Sequence, residues 1–579
     1  MDETKKLNLA GEETMDIDVV AATPSASSIV GAGIELTVPG ELVVTEELGV
    51  KKRSKVRLIA IVVALNLVLF ISALDQTIVA TAIPTIVSDL GTASGYVWIG
   101  GAYIIANAAS SPIWTKLSDI WGRKPIILTS SAMFFGSSIL AAESRSMKML
   151  IIARSFQGLS SGGLVTQVYI VISDMFSMRE RSLPMGLTAL VFTVAGAAGP
   201  IMGGVFAQTI GWIFWINLPI SGSAFFMILG FLDVHNPKTK MRDGIKAIDW
   251  AGGLCILGLI LMLLLGLDFG GATFPWSSPQ VICLVLFGSL MSIFFVFSEK
   301  RLAKYPLMPL EIFRESSNVA VLVLVFFHGM ISLAIEYYPP LYFQAALGAS
   351  PLHSGVLSLP LVVTESLMSI FSGVFIHRTG HYLELIRIGP VIMTIGVGMY
   401  ILFSATSSTG EVVGLQILTG IGCGLLFGPP LLALQAFVPQ QNVATASSTY
   451  GFIRSIGTAM SVVIGGVIFQ NTMDSRVDTL STPPLNLPSN ITDLLSKGQA
   501  AANVIAVNLI QDQAQKMAVQ KAYAGSLRNS WIFYTVASGC CIVATLFIKK
   551  KVLSKDHVET KTGIDVPIPQ TNPVQVGSC

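Results

Sequence analysis

The chain has 579 residues, of which 52% are hydrophobic and only 12% are charged. This composition excludes a soluble globular protein and indicates that lipid surrounds most of the chain. The formal net charge of +2 gives no reason to expect a nucleic-acid partner. The six cysteines lack metal-ligand spacing, so neither a metal site nor a disulfide framework is expected.

Residues 1–50 are acidic, contain Ser and Thr, and show no sustained hydrophobic periodicity. They lack the basic and apolar pattern of a signal peptide, so they are predicted to form a disordered cytosolic tail.

About fourteen apolar runs follow between Val56 and Lys549, each close to the roughly 20 residues that a membrane-spanning helix needs. An even number of spans places both termini on one side of the membrane. The predicted spans are residues 56–80, 95–117, 124–143, 149–173, 183–207, 210–232, 248–267, 279–298, 318–338, 354–376, 386–406, 412–434, 447–470 and 527–548.

Clusters of Lys and Arg fall at alternate loops, whereas the loops between them hold almost none. Because basic loops stay on the cytosolic side, both termini are predicted to be cytosolic. The segment 471–526 is then one long non-cytoplasmic loop, and Asn490 within it starts an Asn-Ile-Thr sequon, a candidate glycosylation site. The basic clusters are residues 51–57, 122–124, 178–181, 238–246, 299–304, 377–387 and 549–551.

The first span contains the string LDQTIVATAIP, which places Asp75 inside an apolar segment. An intramembrane carboxylate is costly and by default faces a cavity or a partner. Because burial disfavours the charged form, Asp75 is a candidate for reversible protonation. The alternative is a hydrogen-bonded structural acid near the end of the helix.

The second span begins with the aromatic residues Trp98 and Tyr103, and Asn107 follows Tyr103 at a spacing of one helical turn. Tyr103 and Asn107 therefore share a face and are predicted to line a central cavity. The alternative is a set of interfacial anchors. The loop after this span reads TKLSDIWGRKPII, in which Asp119 can accept hydrogen bonds, Gly122 permits a tight turn and Arg123 supplies positive charge.

Two further motifs follow in the fourth and fifth spans. Arg154 and Gln157 lie in RSFQG, and a lone guanidinium inside the membrane needs an acceptor or water unless it snorkels to an interface. The string GAAGPIMGG lets its helix pack closely against a neighbour and bend at the proline. Its small and bending residues are Gly196, Gly199, Pro200, Gly203 and Gly204.

The second half of the chain repeats some of these patterns. GVFIHRTGH, with Arg378 and Gly380, is a worn copy of the loop that holds Gly122. Glu365 is an intramembrane acid, either a proton site or a paired structural acid. His328 titrates near physiological pH when unperturbed, but it can equally be a hydrogen-bonded packing histidine.

Taken together, these motifs resemble those of the fourteen-helix drug:proton antiporter branch of the major facilitator superfamily. The resemblance covers roughly residues 51–550, and Thr115 and Ile120 depart from the family's pattern in the loop after helix 2. It implies an all-α integral membrane protein with the major facilitator fold, built from two six-helix bundles and two extra central helices.

This fold divides the chain into segments. The predicted parts are the tail 1–50, an N-terminal bundle 51–235, a linker with the extra helices 236–300, a C-terminal bundle 301–549 that includes the loop 471–526, and a cytosolic tail 550–579.

The resemblance also implies roles for the singled-out residues. Asp75, Arg154 and Glu365 are the candidates for proton coupling, and GAAGPIMGG is the candidate antiporter motif. The substrate cavity is expected to involve Tyr103, Asn107, Gln157 and His328. The candidates for a latch on the cytosolic face are Asp119, Gly122, Arg123, Arg378 and Gly380.

The expected function is proton-coupled efflux of a small amphipathic organic compound, such as a fungal toxin, secondary metabolite or drug. No nucleotide-binding motif of the form G-x-x-x-x-G-K followed by Ser or Thr occurs, so a proton gradient is the expected energy source. No enzymatic chemistry and no cofactor are expected, and the partners are the substrate, protons and the bilayer around a monomer.

The expected location is the cell membrane, with the vacuolar membrane as the alternative. Two other functions remain open from the sequence: a carrier of basic amino acids or siderophores, and a transporter-like receptor that binds its ligand without net flux.

Overall fold

The computed structural model describes residues 54–90, 96–206, 210–237, 239–270, 274–303, 306–308, 310–482, 485, 487–496, 500–501, 503–504, 507 and 510–555. The predicted tail 1–50 and residues 556–579 of the predicted tail 550–579 lie outside these described residues.

Among the described residues, seven α-helices make up the N-terminal half. Ile216 separates α6 from α7, so the predicted sixth span is two helical pieces rather than one. The helices are α1 (Lys55–Asp89), α2 (Tyr96–Trp121), α3 (Arg123–Ala142), α4 (Met147–Met175), α5 (Ser182–Phe206), α6 (Ile210–Trp215) and α7 (Asn217–Phe231).

Three α-helices of the described segments 239–270 and 274–303 connect the halves: α8 (Met241–Ala247), α9 (Trp250–Phe269) and α10 (Pro279–Arg301). Caps fix where the two long ones begin. Asp249 accepts a hydrogen bond from the Gly252 amide at 2.8 Å, and Ser278 accepts one from the Val281 amide at 3.4 Å. Helices α9 and α10 pack on each other, and α9 also packs on α2 and α16.

In the part of the C-terminal half that the structure describes there are eight α-helices. Helix α16 continues to Leu480 and α18 begins at Gln513, so the predicted loop 471–526 is helical at both ends and contains a short helix between them. The helices are α11 (Ser316–Ala345), α12 (Pro351–Thr379), α13 (Leu383–Met399), α14 (Thr409–Gly424), α15 (Pro429–Ala436), α16 (Val443–Leu480), α17 (Ser489–Leu495) and α18 (Gln513–Thr545).

Every predicted span falls on one of these helices or on a broken pair, which confirms the all-α membrane fold. Ten helical stretches of the described residues are long and apolar enough to cross a membrane by length and composition. Helix α4 is not among them. It carries a series of buried polar side chains, including Arg154, Gln157 and Asp174.

Close backbone packing occurs at equivalent places in the two halves. A Cβ atom on Gly158 of α4 would lie 2.2 Å from the Tyr103 carbonyl oxygen of α2. A Cβ atom on Gly420 of α14 would lie 2.7 Å from the Leu361 carbonyl oxygen of α12. Such distances leave room only for glycine, so the same device joins α2 to α4 and α12 to α14.

The two halves meet along α5 and α12. The Ser182 hydroxyl donates to the Gly373 carbonyl at 3.0 Å, and the Thr193 and Ser366 hydroxyls are in contact further along both helices. Ser182 and Gly373 lie near the end of the molecule that carries Gly122, Arg179 and Gly380, which we call the basic end. Contact therefore runs from the basic end to about the middle of both helices.

Candidate functional site

Asp75 and Arg154 form an ion pair inside the N-terminal half. The Arg154 Nη1 atom lies 2.5 Å from the Asp75 Oδ2 atom, and the two side chains are 1% and 0% exposed. Arg154 also donates from Nε to the Ile99 carbonyl at 3.0 Å. A charge buried this deeply is tolerated only when paired and hydrogen-bonded, and this pair meets both conditions.

Two amides complete the surroundings of Asp75. Its second oxygen, Oδ1, accepts from Asn217 Nδ2 at 2.6 Å and from Gln157 Nε2 at 3.2 Å. Gln157 also donates to the Ser138 hydroxyl at 3.0 Å. The cluster thus joins α1, α3, α4 and α7. Sequence reasoning missed Asn217, although it is a polar residue inside the apolar string GWIFWINLP.

Tyr103 belongs to the same network. The Arg154 guanidinium lies 4.4 Å from the centre of the Tyr103 ring. The Tyr103 hydroxyl donates to the Ser72 carbonyl at 2.8 Å and lies 2.7 Å from the Ser161 hydroxyl. Asn107 donates to the same Ser161 hydroxyl at 2.9 Å. Tyr103 and Gln157 are fully buried, so in this state they support the ion pair and do not face open space.

A second polar cluster lies in the C-terminal half. The Cys423 thiol donates to Glu365 Oε1 at 3.3 Å and contacts the Ser332 hydroxyl at 3.1 Å. The His328 Nε2 atom lies 3.2 Å from the Cys423 carbonyl oxygen. Glu365 of α12 and His328 of α11 are both buried. Both contact Cys423, so two predicted site residues from different helices lie in one cluster.

Arg454 adjoins this cluster through Phe427, whose ring centre lies 6.0 Å from that of His328. The Arg454 guanidinium lies 4.3 Å from the centre of the Phe427 ring, a favourable cation–π geometry. Among the described residues, the Arg454 side chain forms no hydrogen bond or ion pair, in contrast to the Asp75–Arg154 pair, whose polar atoms all have partners.

The loop after α2 forms a compact charged cluster at the basic end. Arg123 donates to Asp119 at 2.6 Å and to Asp174 at 2.8 Å, so it ties the end of α4 to the α2–α3 loop. Gly122 has a φ of 92°, a conformation that side-chain-bearing residues rarely adopt. Asp119 and Arg123 are thus in direct contact, and Gly122 forms the turn between α2 and α3.

The second, partial copy of this loop, residues 373–381, contacts the N-terminal half through its backbone carbonyls. Gly380 ends α12 with a φ of 75°. Arg179, from the α4–α5 loop, donates to the His377 carbonyl at 2.7 Å and also to the Arg378 carbonyl. The exposed Arg378 side chain is not what joins the halves. The contact is made by Arg179, which the sequence marks only as part of the basic cluster 178–181.

Arg181 and Gln435 make a second, buried connection between the halves. Arg181 donates to Gln435 Oε1 at 2.9 Å, and Gln435 Nε2 donates to the Ser173 hydroxyl at 2.9 Å. Burial lowers the pKa of Arg181 to about 10, a shift that the carboxylate of Asp174 opposes. The guanidinium therefore stays charged at neutral pH. The basic cluster 178–181 was the only sequence signal for this contact.

The residues of GAAGPIMGG differ in their surroundings. A Cβ atom on Gly199 would lie 2.1 Å from the Thr77 hydroxyl oxygen of α1, whereas one on Gly196 would meet nothing within 4 Å. Gly203 is buried in α5. The side-chain surroundings of Pro200 and Gly204 lie outside what the structure describes, as does the side chain of Asn490 in α17.

The described residues contain no group of three or more His, Cys, Asp or Glu side chains placed to hold a metal ion. The site consists of two clusters of buried ionisable side chains, one around Asp75 and Arg154 and one around Glu365 and His328. A separate network of hydrogen bonds joins the two halves at the basic end.

Residues 65–462 match the sequence profile of the Major Facilitator Superfamily. The chain belongs to this family. It is 41% identical over 511 residues to the "Efflux pump dotC" of Dothistroma septosporum, covering 88% of this chain and 87% of that protein. It is 42% identical over 515 residues to the "MFS-type transporter ppz2" of Metarhizium majus, covering 89% and 88%.

A third relative, the "Efflux pump FUS6" of Gibberella fujikuroi, is 34% identical over 521 residues, covering 88% of this chain and 92% of that protein. Among solved structures, the human organic anion transporter MFSD10 (TETRAN) has a TM-score of 0.56 at 14% identity, covering 85% of this chain and 99% of that one. This likeness concerns the fold. Members of the family are transporters, which makes this chain a membrane transporter with relatives named as efflux pumps.

Proposed function

We propose that this transporter exports a small amphipathic organic compound from the cytosol in exchange for protons, by alternating access. The observation that carries the proposal is the Asp75–Arg154 pair, buried in the N-terminal half at 2.5 Å. Ionisable groups inside a membrane protein are expensive and by default mark a substrate or proton path. The relatives named as efflux pumps support the direction of transport.

The contacts between the halves support a specific state of the cycle. Arg179, Arg181 and Ser182 hold the basic end closed through hydrogen bonds to the other half. With the basic end on the cytosolic side, as the positive loops predict, this is the state that faces outward and releases substrate. The proposal accordingly keeps both termini cytosolic and places the chain in the cell membrane as a monomer.

Exchange requires that proton and substrate favour different states, because a ligand that binds both states equally shifts nothing. Asp75, Arg154 and Glu365 are the proposed coupling residues. The substrate cavity is proposed to be shaped indirectly, by residues whose hydrogen bonds orient the charged groups. These residues are Tyr103, Gln157, Asn107 and His328.

The test is flux into inside-out vesicles that contain the protein and have an acidic interior. Candidate substrates are ethidium, an azole, a siderophore and lysine, each with and without a protonophore. Uptake of ethidium or the azole that the protonophore abolishes supports the proposal. Uptake of lysine or the siderophore instead would favour the carrier alternative. The absence of gradient-driven flux in correctly folded protein would contradict the proposal.

A further inference from the structure

Residues 549–555 follow α18 and run along the basic end of the molecule outside any helix; we call them the C-terminal strap. Hydrogen bonds attach the start of this strap to two helices of the C-terminal half. The Tyr382 hydroxyl, beside the start of α13, donates to the Lys549 carbonyl at 2.9 Å and accepts from the Lys551 amide at 3.1 Å. The Lys549 amide donates to the Ser317 hydroxyl of α11 at 3.1 Å.

A buried leucine anchors the end of the strap. Leu553 is 3% exposed and belongs to the main apolar core, whereas its neighbour Val552 is 72% exposed. The strap also forms two ion pairs, which contribute little because both are exposed to solvent. They join Lys549 to Glu315 at 2.6 Å and Lys550 to Glu384 at 3.0 Å. Hydrogen bonds and the burial of Leu553 are therefore the main attachments of the strap.

The strap also crosses to the N-terminal half. The Arg179 amide donates to the Ser554 carbonyl at 3.2 Å. Arg179 lies in the α4–α5 loop, and its guanidinium donates to the carbonyls of His377 and Arg378 at the end of α12. The strap therefore holds the backbone of the same residue whose side chain joins the two halves.

A second strap contact lies beside the other connection between the halves. The Lys551 ammonium donates to the carbonyl of Ala436, the last residue of α15, at 2.7 Å, and it lies 5.5 Å from the centre of the Phe437 ring. Gln435, which precedes Ala436, is the residue that accepts from Arg181. The strap thus contacts the backbone next to both hydrogen-bonded connections at the basic end.

We propose that the C-terminal strap is a brace that stabilises the closed basic end, and that opening of this end breaks its contact with the α4–α5 loop. The bonds to α11, α13 and α15 keep the strap with the C-terminal half when the halves separate. The bond between Ser554 and Arg179 must then break. Its loss leaves the Arg179 backbone less fixed, so the bonds of the Arg179 side chain to α12 weaken as well. The brace goes beyond the proposed function, because it acts on the conformation whatever the substrate or coupling ion is.

The test compares two adjacent positions of the strap. Leu553→Asp puts an unpaired carboxylate into the apolar core and is expected to detach the strap. Val552→Asp adds the same charge at an exposed position and is the matched control. Spin labels at exposed positions 180 and 555 report the distance from the strap to the α4–α5 loop, and labels at 180 and 379 report the separation of the halves. Both label pairs should gain a longer-distance population in Leu553→Asp and keep the wild-type distribution in Val552→Asp.

A milder variant covers the case in which Leu553→Asp does not fold. Tyr382→Phe removes the hydroxyl that bonds the strap twice and keeps the aromatic ring, so it is expected to lengthen both distances in a smaller fraction of molecules. Tyr337→Phe, at an exposed tyrosine of α11, is its control. A strap that separates from position 180 without a longer distance between 180 and 379 would overturn the proposal. Wild-type distributions for both label pairs in folded Tyr382→Phe and Leu553→Asp proteins would overturn it as well.

Discussion

Arg154 illustrates how single residues determine this interior. Its charge is neutralised by Asp75 at 2.5 Å, its Nε atom bonds a backbone carbonyl, and its face rests on Tyr103. Removal of one partner leaves the other charged and unpaired, which costs about 3–5 kcal/mol in buried pairs. Loss of both charges together leaves amides that can still hydrogen-bond.

Asp75→Asn and Arg154→Gln are therefore each expected to lower the thermal stability of the detergent-solubilised protein, and the double variant is expected to recover part of the loss. The measurement is a double-mutant cycle on unfolding temperature and export. The matched control is Asp233→Asn, which breaks the exposed pair with Arg57 at 3.6 Å and should change stability by about 0–1 kcal/mol. Strictly additive losses at Asp75 and Arg154 would contradict the pairing.

The sequence allowed some of this residue-level picture to be predicted. A lone Asp and a lone Arg in apolar helices each need a partner. The roles of Asp75 and Arg154 in proton coupling are implied by the family resemblance. That the two are partners of each other, with Asn217 as a third member, depends on the packing of α1, α4 and α7, which no local pattern specifies.

At the scale of helices, GAAGPIMGG shows that a glycine motif is not uniform. The Thr77 hydroxyl of α1 lies so close to Gly199 that a methyl group there would clash, and the same hydroxyl donates to the Ala195 carbonyl at 3.2 Å. Gly196, one turn earlier, has open space around it. The sequence predicted close packing by this helix but gave no means of telling which glycine provides it.

Gly199→Ala is expected to force α1 and α5 apart, at a cost of about 1–3 kcal/mol for overpacking. Gly196→Ala is the matched control, because it adds the same methyl group in the same helix and should be neutral or stabilising by up to about 1 kcal/mol. Thermal unfolding and export of both variants test this. Equal behaviour of the two would show that α5 does not pack on α1 as described.

For the whole molecule, the important contacts are those that close the basic end. Arg181 is a buried cation whose bond to the other half is made by Gln435 at 2.9 Å. Sequence patterns predicted two halves and a latch in the α2–α3 loop. They did not predict which residues cross between halves, because Gln435 lies 254 positions from Arg181 in the chain and neither residue carries a motif.

Gln435→Ala is expected to shift the protein toward the state that is open at the basic end, because a hydrogen bond to a charged group contributes about 1.5–3 kcal/mol. Spin labels at exposed positions 180 and 379 report the separation of the halves there. The longer distance should gain population in Gln435→Ala and not in the control Gln441→Ala, which changes an exposed glutamine at the same end. An unchanged distance distribution in Gln435→Ala would exclude this contact as a gate.

Exchange of substrate for protons can be measured in proteoliposomes with a pH-sensitive dye inside. Addition of ethidium to the outside, against an acidic interior, is expected to raise the internal pH as protons leave in exchange. This alkalinisation should saturate with ethidium concentration and be absent from liposomes without protein. Ethidium uptake by the protein with no movement of protons would contradict the account.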